Sequence, residues 1–476
     1  MNAGSLCKGF TEGLGYSPTS CQEKLFKGLA DFFSSDDGDI FVINGYAGTG
    51  KTTALSAVIN HLRKLGIRSV LLAPTGRAAK VLSGMAHRPA STIHKHIYRQ
   101  KDAGKDGIGH FTLCPNKTSN TLFVVDEASL IGREDASRET ALFGQGDLLG
   151  DLVEFVRAGK GCRLVLSGDS AQLPPVGLDL SPALDLEYMQ ERFGGVSGAS
   201  LSSVVRQESE SLILEDATLV RETLLSLQSS GSIPELKLRA FPGREVSRIT
   251  GSELIDAISD AYDRWGYDST VVLCRSNRRA IRYNLGIRAK VLYKEEEISR
   301  GDKFMIVKNC YQFLDDVEQL DYIANGDIAV LDKIWNYENR YGLRFADALL
   351  SFPDYDDVEV RAKVLLDTLT SESASLGKEQ QDALYQGVSA DYADLGNRRK
   401  QWQAVREDPY FNALQLKYAD AVTCHKAQGG QWDCVFIDCP FWQEDLSPDD
   451  LKWLYTALTR AVSQVYLVNF KDFFFE

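Results

Sequence analysis

The chain of 476 residues is as informative for what it lacks as for what it holds. No apolar run approaches the length needed to cross a membrane, which excludes a helical membrane protein as the expected class. Met1–Phe10 has neither the charged nor the apolar region of a signal peptide. Nine cysteines (7, 21, 114, 162, 274, 310, 424, 434, 439) are scattered without a single C-x-x-C pair. That pattern argues against a disulfide framework or a zinc site, and for free thiols in a reducing, cytoplasmic setting. Internal repeats and low-complexity tracts are also missing, so neither a solenoid nor a disordered chain is expected.

No excess of positive charge is present either: the formal net charge is −13. Taken alone, this speaks against a nucleic-acid partner. Residues 346–395, however, hold eleven Asp/Glu against three Lys/Arg, so that segment contributes −8 of the total. The remainder is close to balanced and leaves room for a local basic track. The length allows roughly three domains, each able to bury its own core.

What is present is one stretch of strong chemistry, Gly45-Tyr46-Ala47-Gly48-Thr49-Gly50-Lys51-Thr52-Thr53. It follows the apolar run Ile40–Ile43, which reads as a buried strand, and precedes Ala54–Leu65, whose apolar spacing predicts a helix. Backbone N–H groups of such a loop wrap a polyphosphate. Lys51 reaches the outer phosphates and the Thr52 hydroxyl is placed for Mg²⁺. The chain is expected to bind a nucleoside triphosphate.

Further apolar strands deliver polar loops to what should be the carboxyl edge of a parallel sheet. Ser69–Ala73 leads into Pro74-Thr75-Gly76-Arg77-Ala78-Ala79-Lys80, Leu122–Val125 into Asp126-Glu127, and Arg163–Leu166 into 168–175 with Gln172. Asp126 would hold Mg²⁺ and Glu127 would polarise the attacking water. Gln172 could sense the γ-phosphate, and Arg460 or Arg206 could neutralise charge in the transition state. Short β-like runs around a Gly/Asp/Lys-rich turn predict a hairpin over 98–118. A second α/β unit starts near 200, with Thr270–Cys274 as its first clear strand. Residues 301–335 read as a small antiparallel module, and 346–410 as an acidic insertion with helical spacing at Val364, Leu365 and Leu369 and again at Trp402 and Val405. Phe473–Phe475 reads as the end of the last strand. His94 and His96 could each be a packed histidine, His96 equally so, and Arg275 and Asn277 are explained nearly as well by a solvated charge and a helix cap.

Together these motifs resemble a superfamily 1 DNA helicase of the RecD/Dda branch, most like the Dda-type helicases. Thr19/Gln22 is similar to the adenine-reading Q motif, 45–53 to Walker A, and Asp126-Glu127-Ala128-Ser129 to Walker B. Residues 73–80 and Ala90–His94 resemble the DNA-contacting motifs of the first motor domain, 168–175 motif III, Thr423–Gly429 motif V and Tyr455–Arg460 motif VI. Arg206 stands where the family has a γ-phosphate arginine. Trp432 and the acidic segment match no family pattern.

The resemblance implies two RecA-like P-loop motor domains of α/β class, a β-hairpin pin, and an inserted SH3-like β-barrel. The expected division is 1–97 and 119–199 for the first motor domain around the 98–118 pin, 200–300 and 416–476 for the second, and 301–415 for the barrel with its acidic helical insertion. It implies ATP and Mg²⁺ held by Gln22, Gly45, Ala47, Gly48, Thr49, Gly50, Lys51, Thr52, Thr53 and Gln428, with Thr52 and Asp126 on the metal. Single-stranded and forked DNA would meet Pro74, Thr75, Arg77, Thr92, His94, Asn277, Thr423, His425 and Lys426, with Phe111 at the fork. A monomeric 5′-to-3′ motor with replication or repair proteins as partners is the implied assembly. A small-molecule kinase and a nucleotide-gated DNA clamp are the competing readings. The first needs an acceptor site, and the second sits poorly with the intact Lys51, Asp126, Glu127, Gln172 and Arg460.

Overall fold

A computed structural model of the chain describes residues 2–35, 37–100, 111–132, 147–205, 211–230, 235–314, 317, 320, 322–443 and 445–475, with the side chains of Gln100, Phe111 and Ser230 also outside that set. The first sheet is parallel and built from β1 (Ile40–Gly45), β2 (Arg68–Ala73), β3 (Ala90–Thr92), β6 (Thr121–Val125), β7 (Arg163–Gly168) and β8 (Val196–Leu201), ordered β3-β2-β6-β7-β1-β8. Between β3 and β6, β4 (Tyr98–Gln100) pairs antiparallel with β5 (Phe111–Leu113), forming the base of the expected hairpin. Its tip, 101–110, lies outside the described residues.

Ile40, Phe41, Val42 and Ile43 are all buried. That is why β1 reads as an unbroken apolar run, since helices cover both faces of a parallel sheet. One face packs on Leu6, Phe10, Phe26, Leu29 and Phe33 of the two N-terminal helices, the other on Leu152, Phe155 and Val156.

The second sheet uses β9 (Val246–Ile249), β10 (Thr270–Cys274), β16 (Ala421–Thr423), β17 (Trp432–Asp438) and β18 (Ala461–Val468), ordered β16-β10-β17-β18-β9 and parallel throughout. Its earliest strand in the chain is therefore β9, not β10 as the sequence suggested. Only four residues long, with burial confined to Val246 and Ser247, it carries little apolar signal. β8, at the expected domain boundary, belongs to the first sheet through its register with β1.

Between β10 and β16 the chain builds a closed barrel from β11 (Lys303–Ile306), β12 (Ile328–Arg340), β13 (Leu343–Phe352), β14 (Val358–Leu365) and β15 (Leu414–Tyr418). The small barrel expected from the family resemblance is thus present. The first part of the acidic segment is barrel wall, which corrects the helical reading of Val364 and Leu365, while Trp402 and Val405 lie on a helix as their spacing predicts. Ala346, Ala348, Leu350 and Phe352 face the barrel interior by strand alternation, Leu343 and Phe345 pack on the other side with Leu384 and Val405 of the acidic helices, and Val364 and Leu365 lie on β14. The helical part is confined to Lys378–Asp391 and Arg398–Glu407 with a short turn between them.

One helix ties the two sheets together. Pro448–Leu458 starts from a Ser447/Asp450 capping box with proline at its first position. Every residue from Leu451 to Leu458 is buried, so it is enclosed on all sides. Phe473–Phe475 ends the described chain in a 3₁₀ turn rather than a strand, with Phe474 packed on Phe441 and Phe470.

Candidate functional site: an interdomain nucleotide cleft

The phosphate loop joins β1 to the helix Lys51–Lys64. Gly48 and Gly50 adopt left-handed φ of 69° and 73°, a region a side chain disfavours. A Cβ on Gly50 would come 2.8 Å from Gln22 Nε2 and 3.0 Å from Val205, so the loop is tightly seated. Lys51 Nζ donates to the carbonyls of Gly45 and Tyr46 and stands 4.0 Å from Asp169 Oδ2. Thr49 is buried, its hydroxyl donating to Tyr46 O at 2.7 Å.

Asp126 follows β6 and is half-buried. Ser167 Oγ and the Glu127 N–H both donate to its Oδ1 at 3.0 Å. Burial first, then the Glu127 charge, push its carboxyl above the usual range, against Lys51 and both hydrogen bonds. Glu127 has φ of 55°, an uncommon conformation for a non-glycine residue at the start of a 3₁₀ turn.

These groups line one cavity of about 520 Å³ together with residues of the second domain. Gly48, Gly50, Lys51, Thr52, Asp126, Glu127 and Gln172 come from the first, and Gly429, Gln431 and Arg460 from the second. Gln172 Oε1 is buried with no hydrogen-bond partner among the described residues. An orphaned acceptor in a cleft walled by Lys51 and Arg460 is the mark of a site shaped for a ligand. Arg460 is buried and held by Gly430 O (3.2 Å from Nη1) and Thr456 O (3.3 Å from Nε).

Mg²⁺ would be held by Thr52 and Asp126. Among the described residues no cluster of three or more His/Cys/Asp/Glu could hold a metal. Two protein oxygens that leave the other positions to phosphate and water suit Mg²⁺, which is seldom caged by protein alone.

Three further expected positions are placed as follows. Gln22 is fully buried and both ends of its amide are engaged: Oε1 accepts from Thr19 N–H at 3.0 Å, while Nε2 donates to Thr49 O at 3.2 Å and Tyr16 Oη at 3.3 Å. It braces the phosphate loop. Gln428 donates to Leu173 O across the domain boundary instead of lining the cleft. Thr53 faces solvent. Arg206 lies outside the described residues.

Tyr455, singled out in the sequence only as the first residue of the motif VI segment, reaches the phosphate loop. Its hydroxyl accepts from Ala47 N–H of the phosphate loop at 2.8 Å and donates to Asp169 Oδ2 at 2.6 Å. Next to it, Thr456 Oγ1 accepts from Leu173 N–H at 2.8 Å. The helix from the second domain thus plugs directly into the loops of the first.

A second depression, of about 540 Å³, lies between the second sheet and the barrel. It gathers four expected DNA contacts, Asn277, Thr423, His425 and Lys426, with Arg275, Arg278 and Lys417. Burial, with Lys426 adding like charge, pulls Lys417 down to about 8. Asn277 is the first residue of its helix; Ser276 is the cap. None of Pro74, Thr75, Arg77, Thr92 and His94 lines this groove. Thr75 and Thr92 cap helices through their hydroxyls, and Thr92 is buried. Arg77 lies over the Trp432 ring of the other domain at 3.8 Å. The His94 ring packs near Tyr98 and the barrel's Tyr322, and burial holds its pKa at about 4. His96 packs edge-on against Phe123 and Phe155. Tyr98, at the start of β4, is buried and donates to Asp151 Oδ2 at 2.7 Å.

Residues 27–224 match the family described as an AAA domain, and residues 418–468 the UvrD-like helicase C-terminal domain. The uncharacterized protein MJ1519 of Methanocaldococcus jannaschii is 22% identical across 90% of this chain and 36% of its own length. The ATP-dependent RecD2 DNA helicase of Deinococcus radiodurans is 32% identical across 43% of this chain and 26% of its own. The ATP-dependent DNA helicase dda of Enterobacteria phage T4 is 23% identical across 90% and 93% respectively. The chain therefore spans about a third or less of the first two relatives. A crystal structure of Pif1 helicase from Bacteroides in complex with ADP-AlF3 and ssDNA aligns over 97% of this chain and 95% of that one, at 15% identity and a TM-score of 0.47. The chain thus carries an AAA domain followed by a UvrD-like helicase C-terminal domain, and in sequence it is similar to the RecD2 and Dda DNA helicases.

Proposed function

We propose that this protein is an ATP-driven motor that moves 5′ to 3′ along single-stranded DNA and separates duplex DNA ahead of it. The observation that carries the reading is the cleft with Lys51, Asp126, Glu127 and Gln172 on one wall and Arg460 on the other. A site split between two domains makes hydrolysis depend on closure, and closure and opening move two DNA-gripping surfaces in turn. The phosphate loop and Lys51 bind the β- and γ-phosphates, Glu127 orients and deprotonates the attacking water, and Gln172 and Arg460 bear on the γ-phosphate. Bound Mg²⁺ supplies neutralising charge to the phosphate oxygens.

The groove with Arg275, Asn277, Arg278, Thr423, His425 and Lys426 supports a non-specific phosphate track in the second domain. Its cations explain how an acidic protein holds a polyanion: the negative excess sits on the barrel and its helices. The hairpin at 98–118 is the proposed separating element, with Phe111 at its edge, and replication or repair proteins are the proposed partner class.

The test is ATP hydrolysis with and without oligo(dT), alongside unwinding of duplexes carrying a 5′ or a 3′ tail. Strong stimulation and preference for the 5′ tail are expected. DNA-independent turnover would point to a kinase-like activity, absence of turnover to a clamp, and preference for the 3′ tail would reverse the polarity.

A further inference from the structure

Arg77 comes from the loop and helix after β2, Trp432 begins β17, and they meet across the domain boundary. The guanidinium carbon lies 3.8 Å from the ring centroid, well inside cation–π range. Among the described residues Arg77 makes no salt bridge. Burial first, and then Arg460, weigh against its charge, offset in part by Asp354 and Asp268. The seam accommodates the stack only because Gly429 and Gly430 lack side chains. A Cβ on Gly430 would lie 2.6 Å from Arg77 Nε and 2.8 Å from the Trp432 ring, and one on Gly429 would lie 2.9 Å from Ala78 Cβ.

Two backbone contacts extend this cluster to the nucleotide cleft. The Trp432 N–H donates to Arg460 O at 3.0 Å, and Arg460 Nη1 donates to Gly430 O at 3.2 Å. The peptide against which Arg77 is stacked is thus the one that aims the Arg460 guanidinium.

We propose that Arg77 is a positioning residue rather than a DNA contact: its stack on Trp432 latches the two motor domains together and fixes Arg460 for hydrolysis. The latch forms in the closed arrangement, where Arg77 and Arg460 share one neighbourhood. The negative charge of a bound nucleoside triphosphate is the counter-charge that lets two guanidinium groups stay there. Nucleotide occupancy and closure would then favour one another. Trp432, which fits no family pattern, has a role on this account.

The inference rests on the motor reading for its kinetic part only. The full-length protein is compared with Arg77→Met, which keeps the aliphatic stem, Trp432→Leu, which keeps an apolar filler, and the double variant. Each is assayed for ATP hydrolysis with saturating oligo(dT), for affinity toward a fluorescent ATP analogue, and for oligo(dT) affinity across a salt series. Each single variant should lower kcat about tenfold with KM for ATP moving less. The double variant should lose no more than either single one, a coupling of about tenfold, or ~1.4 kcal/mol. Arg77→Lys and Trp432→Phe should each recover part of the loss, because a cation over a ring remains. DNA affinity should change less than twofold.

Additive losses would overturn the proposal. So would Arg77→Met weakening DNA binding and reducing its salt slope by about one while Trp432→Leu hydrolyses like the parent; Arg77 would then be a phosphate contact. If the parent protein is not stimulated by DNA, the motor reading fails by itself. Coupling in analogue affinity then upholds the latch, and additivity there refutes it.

Discussion

Removing one oxygen from Tyr455 tests the interdomain site most directly. In Tyr455→Phe the ring keeps its place in the fully enclosed helix, so packing changes little. Two hydrogen bonds vanish: the one Tyr455 accepts from Ala47 N–H at 2.8 Å, and the one it donates to Asp169 at 2.6 Å. A bond to a charged group contributes about 1.5–3 kcal/mol and a neutral one about 1 kcal/mol, with a buried unpaired group left behind. Allowing for a water that replaces part of this, closure should lose about 2 kcal/mol, or roughly 30-fold in the population of the competent state. Asp169, freed from the hydroxyl, retains Lys51 Nζ at 4.0 Å as its nearest cation and should draw it away from the phosphates. The expected outcome is a fall in kcat/KM for ATP of about 10- to 100-fold, with near-parental DNA binding in the absence of nucleotide. Steady-state hydrolysis at saturating oligo(dT), paired with a DNA titration, measures both. Values of kcat and KM within twofold of the parent would show that the hydroxyl bridge does not hold the site together.

Lys51→Ala should abolish hydrolysis by removing the cation at the outer phosphates, whereas Glu127→Gln should bind the ATP analogue normally and fail to turn it over; near-parental turnover in Glu127→Gln would displace Glu127 as the base. Cys21 is held down to about 6, first by the hydroxyl of Ser202 and then by that of Ser203, at 3.4 and 3.3 Å. Because its folded pKa is depressed, the thiolate's contribution to stability is present above the unfolded value and is lost as pH falls through about 6. Its alkylation by iodoacetamide should reach half-maximum near that pH and shift upward in Ser202→Ala/Ser203→Ala; an ordinary thiol midpoint in the parent would sink this. Shortening the turn between Lys101 and Gly109, or changing Phe111 to Ala, should impair unwinding and leave DNA-stimulated hydrolysis intact, an expectation that equal loss of both rates would contradict.

The phosphate loop, its flanking strand and helix, and the order of the carboxyl-edge loops could be read from local pattern, because buried parallel strands are short apolar runs that end in their functional residues. The barrel wall could not. In 343–365 the barrel-core set is Ala346, Ala348, Leu350 and Phe352 followed by Val360, Ala362 and Val364, but five acidic residues between 347 and 359 dominate the composition. Val364, Leu365 and Leu369 then imitate a helical face, although the first two are on β14 and the third follows a 3₁₀ turn. Contacts between domains were equally hidden. Nothing near Arg77 in the chain announces Trp432, and Tyr455 lies some four hundred residues from Ala47. Gln22 illustrates a subtler point. Its residue type and position suggest base recognition, while the contacts by which its amide braces the phosphate loop, from the Thr19 N–H and to the Thr49 carbonyl, are not legible in the chain.

The strand order of the second sheet also sets a timetable for synthesis. β9 sits at the sheet edge and pairs with β18 alone, yet about two hundred residues, including the whole barrel, are made between them. At roughly 5–20 residues per second, the apolar side of β9 waits on the order of 10–40 s for its partner while the first motor domain is already complete. During that interval the growing chain exposes an unpaired strand edge beside a finished, ATP-competent loop. A ribosome stalled within the barrel would therefore release a first domain that folds and a second that cannot, and its exposed edge would be the point at which chaperones or proteases engage it.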